Sequence, residues 1–373
     1  MLNMLSRIIL PREIVIKKGS LIRIKFLIGK KIALLIGNKS LKKNGHLQKI
    51  EKYLSASKIE YSIIEGINGD PCEKDILSIS KKLLQIKPDW IVGIGGGSVL
   101  DSAKLAWTVY ENPEISLSKF LTPFSIPELR KKAKLCLIPT TSGTGSEVSS
   151  SAILTINGKK IPIITPCFIP DIAILDPNLT LDINNKVLAC TGIDAFTHAI
   201  ESYCSSLSNS LTKAYALEGG KFIFQNLKEA IKNPQNILAK ENLLYGSMLS
   251  GLAQGVTSVG GVHAISHTLA SHIDLTHGHL NALFLIPILK FNSQESDDVK
   301  KFLNELGINN LDSLTLWVSE IMKECDLSDK WGNFSRDFDT NDMSENILND
   351  ICARTNSRKL TNDAIISILK DTK

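Results

Sequence analysis

Residues 90–106 read WIVGIGGGSVLDSAKLA, and this stretch decides the fold. Trp90 to Ile94 is a short apolar run with the character of a buried strand. It enters glycines at Gly95, Gly96 and Gly97, and Val99 to Ala106 then follows a helical pattern. A strand feeding a helix through glycines is half of a βαβ unit. Glycines let the backbone approach a ligand closely, and a helix N-terminus presents N–H groups and a positive dipole end to a phosphate. The stretch lacks the spacing of the G-x-G-x-x-G fingerprint and the Gly-Lys-Ser/Thr of a Walker A loop.

The same rhythm extends outward. Strands are expected at Glu13–Ile16, Lys31–Ile36, Glu60–Ile64, Trp90–Ile94, Lys134–Ile138 and Ile172–Leu175. Helices are expected between them at 44–57, 71–86 and 97–110, which predicts a parallel sheet covered on both faces. Residues 153–165, with Asn157-Gly158 at the middle, read as an antiparallel hairpin added to that sheet. After Pro177 the periodicity becomes helical, over 183–205, 209–231, 237–255, 260–272, 279–292, 297–305, 311–325, 343–355 and 361–371. The polar stretch 327–345 is expected to be a surface loop. Two domains follow, 1–180 (α/β) and 181–373 (all helical). The small residues of GLAQGVTSVGG (251–261) suggest close helix packing, since glycine inside a helix costs up to about 1 kcal/mol against alanine.

A second loop resembles the first in purpose. Leu137-Ile-Pro-Thr-Thr-Ser-Gly-Thr-Gly-Ser-Glu147 follows a strand and supplies hydroxyls and glycines suited to a pyrophosphate and ribose. Two such loops after neighbouring parallel strands meet at the sheet's carboxyl edge, where α/β sheets bind nucleotides.

Six of the seven histidines lie between His198 and His279. Asp194 and His198 are four residues apart, as are His263 and His267, so each pair shares one helix face. Imidazoles and a carboxylate aimed from two helices are the donors a divalent metal takes. Spacing alone does not choose between His267 and His277 as a ligand.

The chain has 373 residues, 43% apolar and 22% charged, with a formal charge of +5 carried by scattered lysines. No dense basic block points to nucleic acid. Seven cysteines, odd in number and without a CxxC pair, fit free thiols in a reducing compartment. The N-terminus lacks a continuous apolar core, and no apolar run approaches the roughly 20 residues of a membrane span. A cytoplasmic enzyme acting on a small molecule is the expectation.

With GGGSVLDSAK (95–104), PTTSGTGSEV (139–148), PDIAILDPNLT (170–180), TGIDAFTHAIESY (191–203), GVHAISHTLA (261–270) and THGHLNALFLIP (276–287) in this order, the chain resembles the iron-containing (group III) alcohol dehydrogenase family over nearly its full length. The resemblance implies a Rossmann-like dinucleotide-binding domain, a helical metal-binding domain and an active site in a cleft between them, the architecture shared with dehydroquinate synthase. It places the metal ligands on Asp194, His198, His263 and His277, and a non-ligand active-site histidine on His267. His272, His279, Ala270 and Thr276 depart from the family's usual residues. Cofactor contacts are expected from Gly37, Lys39, Ser40, Gly95, Gly96, Gly97, Ser98, Asp101, Thr140, Thr141, Thr144 and Lys160.

The implied reaction is hydride transfer between NAD(P) and a small aldehyde or primary alcohol. A metal would act as Lewis acid and His267 as proton relay, imidazole being the group that titrates near neutrality. Three nitrogens and one carboxylate suit Fe2+ and also Zn2+. No Asp or Glu occurs between Gly37 and Gly45, where an acid would contact the ribose 2′-OH, so NADP(H) is expected over NAD(H), working toward aldehyde reduction. Dimers are common in such a family. Two alternatives use the same scaffold: a lyase of the dehydroquinate synthase type, and an inactive metal-binding homologue. The first would call for a longer carboxylate than Asp194 and basic phosphate ligands around it, and the second would leave family positions unfilled.

Overall fold

The computed structural model describes residues 7–37, 40–122, 125–156, 159–332 and 340–373. The chain divides into two compact units, one of Ile9–Thr141 with Ser146–Asp182, the other built on Ile183–Lys373 together with Ser142–Gly145.

The first unit carries strands β1 (Glu13–Ile16), β2 (Lys31–Ile36), β3 (Glu60–Ile64), β4 (Trp90–Gly95), β5 (Lys134–Pro139), β6 (Ser151–Ile156), β7 (Lys159–Ile164) and β8 (Ile172–Leu175). Its helices are α1 (Ser40–Lys43), α2 (His46–Ala56), α3 (Glu73–Ile86) and α4 (Gly97–Glu111). Six strands form one sheet in the order β1-β8-β5-β4-β2-β3, and every pairing in it is parallel. Alternate residues fill two cores. Ile32, Leu34, Val92, Ile94, Cys136 and Ile174 pack with Leu47, Ile50 and Leu54 of α2. Ala33, Leu35, Ile91, Leu135 and Leu137 pack with α3 and α4 on the opposite face. Both faces of the strands are covered, which is why these runs read as continuously apolar.

The hairpin corrects the sequence reading. β6 and β7 pair with each other as a separate two-stranded sheet. Ala152, Leu154 and Ile163 share the core of α3 and α4, so the hairpin buries its apolar face over that helix layer instead of prolonging the sheet. Its Asn157-Gly158 turn lies outside the described residues.

The second unit holds α5 (Asn185–Cys204), α6 (Ser210–Lys232), α7 (Ile237–Thr257), α8 (Gly261–Leu269), α9 (His277–Asn292), α10 (Asp298–Glu305), α11 (Leu311–Glu324), α12 (Thr340–Asn349) and α13 (Asn362–Thr372). One core joins α5, α8 and α9 to the surrounding helices, with Phe196 against Phe302 and Trp317. Two expectations change here. The loop expected over 327–345 gives way to α12 from Thr340, and the helix expected over 343–355 breaks at Asp350. Asp350 is extended and its carboxylate accepts the Cys352 N–H at 2.7 Å, starting a 3-10 turn over Ile351–Thr355. No helix among the described residues is long and apolar enough to cross a membrane.

Within 251–261, Gly261 lies against Ile288 of α9, as close helix packing predicts, whereas Gly251 of α7 packs against a loop. A Cβ on it would lie 2.7 Å from Cα of Gly145. Gly145 has a positive φ of 60°, so both glycines are required, one for conformation and one for space. Gln254 donates to the Thr144 carbonyl at 2.9 Å, and Gly143 lies against Thr191. The centre of the hydroxyl loop is thereby held by α5 and α7.

Candidate active site

Asp194, His198 and Glu201 occupy positions i, i+4 and i+7 of α5, one face of the helix, and all three are buried. His263 and His267 come from α8, and His277 opens α9. Gly278 lets that first turn of α9 lie on α5, since a Cβ there would come within 2.2 Å of the Cys190 carbonyl. Asp194 Oδ1 is 3.6 Å from Nε2 of His263, 3.6 Å from Nε2 of His277 and 3.9 Å from Nε2 of His198. The His198 and His263 rings stack at 4.6 Å, and those of His267 and His277 at 5.3 Å. His277 and His267 keep 27% and 19% side-chain exposure, so the site opens on their side.

Glu201 is a residue the sequence reading missed. Its carboxylate accepts N–H groups of Gly260 (2.9 Å) and Val262 (2.7 Å), capping α8. It also takes Nδ1–H of His263 at 2.6 Å. That bond fixes the ring, and in the neutral form it leaves Nε2 with its lone pair toward Asp194, the form a cation would select. Glu201 stands seven residues after Asp194, so the helical spacing that paired Asp194 with His198 also signals it.

The electrostatics follow from burial and contact. Burial pushes His198 down to about 4. Burial works the same way on His263, but Asp194 and Glu201 outweigh it and raise the ring to about 9. Burial alone would raise Asp194, yet the surrounding imidazoles hold it below the ordinary carboxylate range.

Asn281, one turn after His277, donates Nδ2–H to Asp194 Oδ1 at 2.6 Å and lies 3.3 Å from Nε2 of both His263 and His277. Two amide protons cannot satisfy three acceptors. Asn281 Oδ1 is buried without a hydrogen-bond partner. Such a surplus of inward lone pairs, all on hard or borderline donors, fits a divalent cation.

His267 Nδ1 is 3.2 Å from Asp350 Oδ2, with the Cys352 thiol at 3.9 Å. His279 donates Nε2–H to the Ser328 carbonyl at 2.7 Å and so turns its ring to another partner; His272 is exposed.

In the α/β unit, Ile36 pairs with Ile94 and Gly95 with Pro139, so the strand ends leading to Gly37, Gly96 and Thr140 share one carboxyl edge. Thr140 N–H bonds the Gly95 carbonyl at 2.9 Å, and Gly96 lies against Thr141. Gly97 and Ser98 open α4, where no side chain caps the helix. Gly95 is needed for packing as well, because its Cβ would come within 2.5 Å of Val99. Asp101 uses both oxygens internally, Oδ1 accepting Ser146 Oγ–H (2.6 Å) and Oδ2 the Ile153 N–H (3.0 Å). Lys160 is paired with Asp70 at 2.9 Å. Lys39 lies outside the described residues, as does the side chain of Ser40.

A nucleotide-type sheet edge in one unit and a carboxylate ringed by imidazoles in the other define a nicotinamide-linked, metal-dependent oxidoreductase. Comparison with known proteins gives the family. Residues 11–177 match iron-containing alcohol dehydrogenase, and residues 188–373 match the C-terminal part of the Fe-containing alcohol dehydrogenase family. The NADPH-dependent butanol dehydrogenase of Clostridium saccharobutylicum is 33% identical over 98% of this chain and 97% of its own. Among solved structures, the iron-containing alcohol dehydrogenase of Thermococcus thioreducens superposes with a TM-score of 0.89 at 28% identity, covering 98% of this chain and 99% of that one. Alcohol dehydrogenase from Oenococcus oeni gives 0.91 at 26%, covering 99% and 100%. The chain belongs to the iron-containing alcohol dehydrogenase family. It is a metal-dependent oxidoreductase acting on alcohols with a nicotinamide cofactor.

Proposed function

We propose that Asp194, His198, His263 and His277 hold one divalent ion, Fe2+ in the first instance, in an NADPH-dependent reductase of small aldehydes. The observation that carries the metal assignment is the set of 3.6–3.9 Å separations around Asp194 Oδ1. They are longer than hydrogen bonds and close to the roughly 3.4 Å between two donors that each lie ~2.1 Å from one ion. When bound, the ion supplies Lewis acidity toward the substrate oxygen.

The chain's own residues supply the rest. Glu201 holds His263 in the tautomer that offers Nε2. Asp350 accepts Nδ1–H of His267 and orients the ring; as imidazolium the ring gives its Nε2 proton to the product oxygen, and as the neutral ring it takes that proton back in the reverse direction. Gly37, Gly95, Gly96, Gly97, Ser98, Thr140, Thr141 and Thr144 bind the cofactor's phosphates and sugars. The segment from Gly37 to Gly45 has no acidic side chain to repel a 2′-phosphate, and Lys39 or Ser40 pairs with it. A relative named NADPH-dependent butanol dehydrogenase supports this reading and makes butanal the substrate to try first.

Chelator-treated protein should lose butanal reduction and regain it with Fe2+. In the reloaded protein kcat/KM should favour NADPH over NADH, and Lys39→Asp should move the ratio toward NADH. A wild-type preference for NADH of tenfold, about 1.4 kcal/mol, sinks the reading of the loop.

A further inference from the structure

Lys104 lies in the second turn of α4 with no exposed surface. A buried ammonium costs several kcal/mol unless oxygens replace its water. Nζ donates to Ser151 O (2.7 Å), Ser146 Oγ (2.9 Å) and Ser149 O (3.1 Å), with Ser149 Oγ at 3.2 Å. Asp101 stands three residues earlier on the same face of α4. Ser146 joins the two: its hydroxyl accepts from Lys104 and donates to Asp101 Oδ1 at 2.6 Å. The other Asp101 oxygen takes the Ile153 N–H, so the pair reaches from α4 across the chain between Ser146 and Ile153.

That chain continues directly from the hydroxyl loop. At the loop's start, Thr140 N–H is fixed to the Gly95 carbonyl. At its end, Ser146 and Ser149 are fixed to the helix that follows the glycines. Thr140 and Thr141 are therefore registered against the N-terminus of α4 from both sides. We propose that Lys104, Ser146 and Asp101 are positioning residues, a charged relay that sets the hydroxyl loop for the cofactor's phosphates; Asp101 acts through the loop and not as a direct ligand. The inference rests on reading the two loops as the cofactor site.

Stability alone does not account for the arrangement. Apolar replacement of a buried charge network is often neutral or stabilising, whereas a hydroxyl held between an ammonium and a carboxylate specifies one position. Fold and cofactor binding should accordingly separate in the variants.

The test measures NADPH affinity by fluorescence on metal-loaded enzyme, with Tm, metal content, KM and kcat in parallel. Ser146→Ala, and Lys104→Met paired with Asp101→Asn, should weaken NADPH binding about tenfold and raise its KM. Metal content should be unchanged, and kcat at saturating NADPH should stay within about threefold of wild type. Ser146→Thr, which keeps the hydroxyl, should restore affinity. A loss of Tm with NADPH affinity within twofold of wild type overturns the relay. Gly96→Asp separates the two levels of the argument. Weak binding in that variant beside normal binding in the relay variants rejects the relay alone. Normal binding in all of them rejects the assignment of the loops, and the relay with it.

Discussion

Two of the places where the molecule buries charge treat it in opposite ways. Around Lys104, opposite charges are linked through hydroxyls and carbonyls at 2.6–3.2 Å. Around Asp194, ring nitrogens face a carboxylate at 3.6–3.9 Å, and a single amide group serves three acceptors. A cluster that satisfies itself is architecture. A cluster whose lone pairs converge unsatisfied is shaped for something the polypeptide does not contain. Glu201 belongs to the first kind and serves the second, since its bonds to α8 are complete while the ring it holds presents an open nitrogen.

The largest expected effect tests that division inside the histidine cluster. His263→Ala should lose bound metal and about 10³-fold or more of the turnover, the scale of losing a Lewis acid worth several kcal/mol. His267→Ala should keep the metal and lower kcat by about 10²-fold, the scale of general acid–base catalysis, measured by metal analysis beside steady-state rates. Equal metal loss in both variants would exchange their roles.

Glu201→Gln should be milder. The amide keeps the shape but gives His263 a weaker acceptor, so metal affinity should fall about 10- to 100-fold in chelator competition. Unchanged affinity would break the comparison, because the complete network would then be irrelevant to the open one.

Glu147, buried just after Ser146, offers the smallest effect. Burial raises its carboxyl from 4.5 to about 7. Between those values the folded chain holds a proton that the unfolded chain has released, so its contribution to stability falls as pH rises through that window. Glu147→Gln should stabilise the protein by about 1–3 kcal/mol at pH 8 and by little near pH 4.5, read from urea midpoints. A gain of equal size at both pH values would mean that the carboxyl is not held up.

Much of this was legible in the sequence because its signals are local. The six sheet strands appear where continuous apolar runs predict them, since strands buried on both faces need no alternation. Spacing brings Asp194 together with His198, but the partner His277 comes from a different helix, and resemblance to a family was needed to prefer it to His267. Glu201 shares the periodicity, but a carboxylate on a helix is common on solvated faces too, so spacing alone does not single it out. The remaining misses are tertiary. Nothing near residues 151–164 says whether a hairpin extends a sheet or covers a helix. Asp101 carries no local mark that Ser146 and Ile153 will take both its oxygens.

The placement of Ser142–Gly145 with the helical unit has a consequence for how the chain is made. Gln254 reaches the Thr144 carbonyl across 110 positions of sequence. Translation at roughly 5–20 residues per second separates the emergence of the two partners by about 6–22 s. During that interval the strands of the α/β unit have left the ribosome, but the middle of the hydroxyl loop has no surface to rest on. Gly145 meets Gly251 only after α7 arrives. The centre of the hydroxyl loop thus gains its support only when the second half of the chain is made, and a nascent chain stopped before α7 carries Ser142–Gly145 without it.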